Sequence, residues 1–323
     1  MQTLRARTLR AFAHAATFAV LAGLAGGCGG RTPAPPVTAP SAAAPFLWSV
    51  SGPAGRGWLY GTMHVSDPRA VALPAAVAEA LAQAAAVYTE VEGGLGAATA
   101  LFTAGSLPPA HSLRELLPAE LHRRLVGYLE ARRMSATEFE RFRPWLATVM
   151  LAQLDAQEFL RHGPPLDDVL RQRAAESGKR LGAVETVAEQ IAAISVGSEE
   201  DQIHLLDVAL ARLEADRAAG RNRLRSLFET WLRGDIEGLL RLRDEDMDLT
   251  DPAQRQWWEA LFVERNRRMA DRADRILRES GDKPAFFAFG TLHFVGEGSV
   301  VELLQERGWK VERILAPSAG GRD

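Results

Sequence analysis

The chain has 323 residues, a formal net charge of −3 and 24% charged residues. Proteins that bind nucleic acid usually carry a basic surplus, so this charge argues against nucleic acid as a partner. The only cysteine is Cys28. Disulfides are therefore excluded within the domain that follows it, and a metal site there would use histidine and carboxylate ligands rather than thiolates.

Residues 1–27 have the pattern of an export signal, in which three arginines precede a short apolar segment rich in small residues. Cys28 follows the residues LAGG directly. This arrangement resembles the lipobox of bacterial lipoproteins, so we expect Cys28 to be lipidated. The alternative is an ordinary signal peptide and a secreted protein. Because the residue after the cysteine is Gly29 and not aspartate, we expect an outer-membrane anchor with the protein facing the periplasm.

Residues 28–45 contain proline, alanine, serine and threonine without a hydrophobic pattern, which predicts a disordered tether. The domain is therefore expected to span residues 46–318. This length is sufficient for one sizeable core, or for a core with a helical insertion.

Residues 46–50 and 57–62 read as two strands of a hairpin, because a turn rich in glycine and proline separates them. A helical pattern at 73–84 leads to an alternating strand at 86–92. These elements predict a β-α-β unit, in which the helix connects two parallel strands of one sheet.

From about 97 to 280 the apolar spacing is mostly helical, interrupted by a short β-like segment at 180–185. A strand at 285–290, a helix at 299–307 and a strand at 310–314 predict another β-α-β unit. Since sheet elements lie at both ends, the expected fold is α/β. Its sheet core is assembled from both ends of the chain, and the large helical insertion forms a cap.

The pattern Gly-Thr-x-His occurs twice, at 61–64 and at 290–293, and each copy ends a short apolar run. Glycine permits a turn or a close approach, and threonine can form a local hydrogen bond. Each histidine then lies at the end of a strand, where open α/β sheets bind their ligands. We expect the two copies to meet across one sheet edge, so that His64 and His293 share a site.

Carboxylates lie near the ends of two other predicted strands. Glu90 and Glu92 alternate along the strand at 86–92 and should face the same way. One of them is expected to be a metal ligand or a general base, unless this is a solvated edge strand. For Glu185 a site role and a helix-start role stay open, because Thr186 and Glu189 could form a capping box.

The chain lacks the HExxH, GxSxG and Walker motifs and a dinucleotide fingerprint. Two histidines with carboxylates suit a divalent transition metal, Mn, Co, Fe or Zn, that activates water. Arg265 and Asn266 lie in a highly charged helical run, which by itself is typical of a solvated face.

Taken together, these residues resemble the TraB/GumN (PrgY) family, which includes the Tiki-type metallopeptidases. The resemblance covers about residues 46–314 and rests on FLWSV, GTMH, TEVE, GAVETVAEQ, ERN and FAFGTLHFVGEGSVVELLQERGW. It implies a metal-dependent site formed by His64, His293 and Glu90. Glu92 stands where the family often has aspartate, which would make it a further carboxylate ligand.

The resemblance also matches Arg265 and Asn266 to an Arg-Asn pair, and Glu185 and Gln190 to a Glu-Thr-x-x-x-Gln segment. It implies a metal-dependent hydrolase, specifically a peptidase of the cell envelope, acting on a peptide or protein substrate. Glu90 would be ligand or base, and Arg265 or Asn266 would stabilise the oxyanion. The alternatives are a non-catalytic haem- or metal-binding lipoprotein, similar to haem-binding lipoproteins of the ChaN type, and a partner-binding protein. The oligomeric state stays open.

Overall fold

The computed structural model describes residues 45–315, in which six strands form one sheet. The strands are β1 (Leu47–Gly52), β2 (Gly55–Thr62), β3 (Ala86–Thr89), β4 (Arg180–Ala183), β5 (Gly281–Gly290) and β6 (Lys310–Arg313). They lie in the order β4-β3-β5-β2-β1-β6. The first four in this order are parallel neighbours, whereas β1 is antiparallel to both β2 and β6.

The predicted export signal, Cys28 and nearly all of the tether lie outside the described residues, as do residues 316–318 of the predicted domain. The α/β fold class is confirmed, because a sheet built from both ends of the chain is accompanied by many helices. In the part of the chain that the structure describes, no helix is both long and apolar enough to cross a bilayer.

The central strand β5 is buried on both faces. Every residue from Ala285 to Phe289 is fully buried, although successive side chains of a strand point to opposite faces. Such a continuous apolar run is what a parallel strand covered on both sides requires. The predicted strand at 285–290 is therefore confirmed, with an earlier start at Gly281.

The predicted hairpin is also confirmed, since Gly52 pairs with Gly55 across the turn between β1 and β2. In each predicted β-α-β unit the two strands run parallel in the same sheet, but they are not adjacent to each other. Strand β5 lies between β2 and β3, and β6 pairs with β1 at the sheet edge. This placement brings the second Gly-Thr-x-His copy directly beside the first.

The helices that surround and cap the sheet are α1 (Pro68–Val71), α2 (Ala75–Gln83), α3 (Leu95–Gly105), α4 (Leu113–Leu116), α5 (Ala119–Glu130), α6 (Ala136–Phe139), α7 (Pro144–Leu160), α8 (Leu166–Glu176), α9 (Val187–Ile194), α10 (Glu199–Ala218), α11 (Arg223–Leu232), α12 (Ile236–Asp246), α13 (Pro252–Trp258), α14 (Glu264–Ser280) and α15 (Val300–Glu306). The β-like segment predicted at 180–185 forms β4, which pairs with β3. It divides the helical section into two parts.

Helices α3, α5, α7 and α10 enclose an apolar core of their own, separate from the core of the sheet. On α5 the residues Leu121, Leu125 and Leu129 follow each other at intervals of four, so they lie on one face, and all three are buried. Leu146 of α7 and Leu206 of α10 belong to the same core. The cap is therefore stabilised by its own apolar core and lies above the sheet.

Candidate metal centre

Four adjacent parallel strands end at one edge of the sheet, and a polar side chain follows each of them. In sheet order these are Glu185 after β4, Glu90 after β3, His293 after β5 and His64 after β2. Because the carboxyl ends of parallel strands meet at the same edge, residues more than 200 positions apart become neighbours. The expected meeting of the two histidine motifs is therefore observed.

Two side chains tie the Gly-Thr-x-His copies together. Thr291 Oγ1 donates to the carbonyl of Thr62 at 2.9 Å, and it accepts from Trp231 Nε1 at 2.9 Å. The same Trp231 N–H reaches the Gly61 carbonyl at 3.0 Å. A Cβ on Gly61 would lie only 2.8 Å from Thr291 Oγ1, so glycine is required for this close approach.

Both imidazoles are held with Nε2 directed toward one carboxylate oxygen. His64 Nδ1 lies 2.7 Å from Asp167 Oδ2, and His293 Nδ1 lies 2.7 Å from Asn266 Oδ1. Each partner atom accepts, so each Nδ1 carries a proton. His64 Nε2 and His293 Nε2 are then both 3.9 Å from Glu90 Oε1. Metal-binding histidines show this arrangement, in which the second ring nitrogen donates to a carboxylate or carbonyl.

The two imidazoles have opposite pKa shifts. Burial lowers the pKa of His64, but the Asp167 carboxylate raises it more, to about 9. Burial and the nearby Arg265 cation lower the pKa of His293 to about 3. These opposite shifts favour the protonated form of His64 and the neutral form of His293. A metal ion would have to displace the proton from His64, because only neutral imidazole binds a metal.

Asp167 was not predicted from the sequence. It lies in the first turn of α8, it is 7% exposed, and its Oδ1 accepts from Thr62 Oγ1 at 2.8 Å. In sequence it reads as an acid that stabilises a helix N-terminus. Only its spatial position beside His64 shows its second role, and no local pattern indicates it.

Glu90 is held by donors on both oxygens. The Gly290 N–H donates to Oε1 at 2.6 Å, while Arg265 Nη2 and Gln190 Nε2 donate to Oε2 at 2.7 and 3.2 Å. Burial opposes ionisation, but Arg265 and the histidines lower the pKa of Glu90 to about 2. Glu90 is therefore an ionised, immobilised carboxylate.

Arg265 also binds Glu185, whose Oε2 accepts from Nε at 2.9 Å and from Nη2 at 2.7 Å. Arg265 and Asn266 are buried, so they do not lie on a solvated face. Both roles left open at Glu185 are seen in this segment: Glu185 joins the site, and Thr186 with Glu189 forms the capping box. Asn266 donates to the Gly298 carbonyl at 2.9 Å while it positions His293.

A π-helical turn at Glu259–Val263 comes immediately before α14. Such turns are rare and often occur at functional sites, because the extra residue rotates the helix that follows. Arg265 and Asn266 lie in the first turn after it, and both face the site. Phe262, within the π turn, packs its ring 5.4 Å from the His293 ring.

Glu92 does not join this cluster. Strand β3 ends at Thr89, so the alternation expected for Glu90 and Glu92 is wrong, because the chain has left the strand before it reaches Glu92. Glu90 is 5% exposed, whereas Glu92 is exposed and does not line the cavity above the site. Its proposed role as a ligand has no geometric support.

The donor set fits a transition metal. Within residues 45–315, no three His, Cys, Asp or Glu side chains are gathered closely enough to surround an ion as they stand. Yet the Nε2 atoms of His64 and His293 and the Oε1 atom of Glu90 face one common space. A Cβ on Gly290 would partly fill this space, because it would lie 3.2 Å from Glu90 Oε1 and 3.6 Å from His64 Nε2. Imidazole and carboxylate ligands suit Mn, Fe, Co and Zn.

Comparison with known proteins finds several relatives of this chain. The chain is 28% identical to Metalloprotease TIKI1 of Danio rerio over 84% of its own length and 63% of that protein. It is 28% identical to Metalloprotease TIKI2 of Xenopus tropicalis over 84% of this chain and 60% of that protein. It is 27% identical to Metalloprotease TIKI1 of Homo sapiens over 84% of this chain and 62% of that protein.

The chain thus spans about three fifths of the length of these curated relatives. No solved structure matches it. Residues 46–313, which include all four strand-end residues of the site, match the TraB/PrgY/gumN family. The chain therefore belongs to the TraB/PrgY/gumN family.

Proposed function

We propose that this protein is a metal-dependent hydrolase of the peptidase type. The observation that carries the proposal is the pair of imidazoles whose Nε2 atoms are equally distant, at 3.9 Å, from Glu90 Oε1. Relatives named metalloproteases support the same class. The reaction would break the amide C–N bond, with the hydroxyl of water added to the carbonyl carbon and a proton to the amine.

His64, His293 and Glu90 would hold the ion, which supplies a water of lowered pKa and polarises the scissile carbonyl. Glu90 suits the role of ligand better than that of a moving base, because donors on both oxygens hold it in place. Asp167 and Asn266 keep the imidazoles in the required tautomer. Arg265 positions Glu90, and its contacts with two carboxylates make it a positioning residue instead of the expected oxyanion donor.

Glu90→Gln should lower hydrolysis of a peptide library by at least about 100-fold, because it removes the charge between the imidazoles while keeping the shape of the side chain. Cleavage would be measured by mass spectrometry with Mn²⁺, Co²⁺, Fe²⁺ or Zn²⁺ added singly. Glu92→Gln is the matched control and should retain full activity. Equal loss in both variants would contradict the assignment to Glu90 alone, and no cleavage by wild type with any metal would contradict the peptidase proposal.

We also propose that the protein acts in the bacterial cell envelope, held by a lipid on Cys28 at the outer membrane. The lipobox-like sequence before this residue supports the proposal. Wild-type protein should incorporate labelled fatty acid and enter the detergent phase on phase separation, and Cys28→Ala should do neither. Labelling that persists in Cys28→Ala would show that the anchor, if any, lies elsewhere.

A further inference from the structure

A cavity of about 520 Å³ opens above the histidine cluster, between the sheet edge and the cap. His64, Glu90 and His293 form its floor. Its walls come mainly from helices α7, α10 and α11, and most of the side chains that line them are apolar, among them Val149, Leu205, Val208, Leu213, Leu224 and Leu227. Pockets of this size hold a ligand well beyond a single amino-acid side chain.

Helix α10 has two apolar faces. Leu206 and Leu210 are fully buried in the core of the cap. Leu205 and Val208 line the cavity three positions apart, so they lie on one face of the helix, and they are only half-buried. A helix that is apolar on both sides is usually covered on both sides. The face of α10 that lines the cavity is therefore not covered by other side chains. An apolar ligand bound there would gain about 25 cal/mol of free energy for each Å² of apolar surface that is removed from water.

The length of the apolar section follows from α11. Trp231, near the end of this helix, contacts both histidine motifs, whereas Arg223 begins the helix at the far end of the cavity wall. Trp231 lies eight helical steps after Arg223, a rise of about 12 Å. Leu224 and Leu227 lie between the two ends. An occupant would thus extend about 12 Å from the histidines along an apolar wall.

The charged groups at the far end are already paired. Arg223 donates to Asp246 at 3.1 Å and to Glu245 at 2.9 Å, and Arg212 lies 3.6 Å from Asp246. These acids compensate the two arginines at this end of the cavity, Arg212 and Arg223. The far end therefore does not require a charged ligand.

An extended peptide of 12 Å would contain roughly four residues, each bringing a backbone donor and an acceptor that need partners. Two neutral polar side chains on the wall, Thr148 and Gln202, have donors in use. Thr148 donates to the Pro144 carbonyl, and Gln202 donates to the Ser195 carbonyl. Each buried polar group left without a partner would cost about 1–3 kcal/mol. A hydrocarbon chain needs no such partners.

We propose that the substrate carries a fatty acyl group, whose hydrocarbon lies in this cavity while the scissile bond lies over His64 and His293. This inference rests on the hydrolase function proposed above for its catalytic part, but the binding of the acyl chain is independent of turnover. The polar portion of the substrate, such as a peptide, would extend from the scissile bond toward solvent.

Binding is measured first, by titrating the full chain with the fluorescent fatty acid parinaric acid. Leu227→Arg should weaken binding at least tenfold, because it places a cation on the apolar wall. Ala209→Phe, which also lines the cavity, should instead shorten the longest saturated fatty acid that displaces the probe. Leu249→Arg is the control, since Leu249 is 46% exposed and lies outside the cavity. Unchanged binding and chain-length preference in both cavity variants would overturn the inference.

Turnover is measured second, with one peptide prepared with and without an N-terminal dodecanoyl chain. Wild type should show a KM at least tenfold lower for the acylated form, and Leu227→Arg should abolish this difference. Equal KM values in wild type would overturn the inference. Cavity-dependent binding of the fatty acid without cleavage of either peptide would support the acyl site and count against the peptidase function. Cleavage of both peptides without fatty-acid binding would support the peptidase function and count against the acyl site.

Discussion

Replacing His64 or His293 with alanine is expected to remove the metal ion from the protein. Wild-type full chain, purified without chelator, should contain close to one transition-metal ion per molecule by mass spectrometry, and each variant should contain only background. The reason is geometric: both Nε2 atoms face the same Glu90 oxygen at 3.9 Å, so neither half of the site can hold an ion alone. Circular dichroism would check that each variant is folded, because the substitutions leave Asp167 or Asn266 without its imidazole partner.

His111→Ala is the matched control, since His111 is exposed and does not line the cavity, and it should leave the metal content unchanged. Asp167→Ala should reduce metal affinity by about 10- to 100-fold, as expected for loss of a group that orients a ligand. Asp167→Asn should lose less, because an amide oxygen can still accept from Nδ1, as Asn266 does.

Equal metal content in wild type and both histidine variants would refute the shared site. A Soret band on addition of haem, lost in either variant, would support the haem-binding alternative instead.

Replacing Arg265 with methionine is expected to destabilise the protein by about 3–5 kcal/mol, the usual cost of removing one partner of a buried ion pair. Arg265 is 3% exposed and lies 2.7 Å from oxygens of both Glu90 and Glu185. Methionine fills the space but leaves two buried carboxylates without their common cation. The free energy of unfolding would be measured by urea denaturation followed by circular dichroism.

A double variant distinguishes the loss of the Arg265–Glu185 ion pair from the cost of leaving a buried carboxylate without its cation. Arg265→Met combined with Glu185→Leu should be more stable than Arg265→Met alone, because it removes a buried carboxylate whose remaining cation, Arg268, lies 3.4 Å away. Arg267→Met, at an exposed neighbour in the same helix, should change stability by less than about 0.5 kcal/mol. If Arg265→Met were no more destabilising than Arg267→Met, the buried network would not contribute to stability as we argue.

The predictions that succeeded from sequence are those based on local patterns. The glycines at 61 and 290 are needed where the backbone approaches Thr291 and Glu90, and the aromatic run before Gly290 forms a strand buried on both faces. Resemblance to the family singled out Arg265 and Asn266, which composition alone would have placed on a solvated face.

The errors and omissions concern residues whose role depends on distant parts of the chain. Strand periodicity could not show that β3 ends at Thr89, so Glu92 was grouped with Glu90 although it is exposed and Glu90 is buried. Asp167 and Trp231 were missed because their partners lie about 100 and 170 positions away.

By itself, the sequence determined the α/β class, the ends of the two histidine strands, and the histidine and carboxylate side chains available as metal ligands. These features follow from residue conformation, the period of the apolar residues and ligand chemistry. The tertiary structure alone decided that β5 lies between β2 and β3, that a π turn precedes Arg265, and that Asp167 and Asn266 direct the two imidazoles. The physical reason is that strand order and buried hydrogen bonds arise from non-local packing, in which each partner is selected by the whole fold and not by its neighbours in sequence.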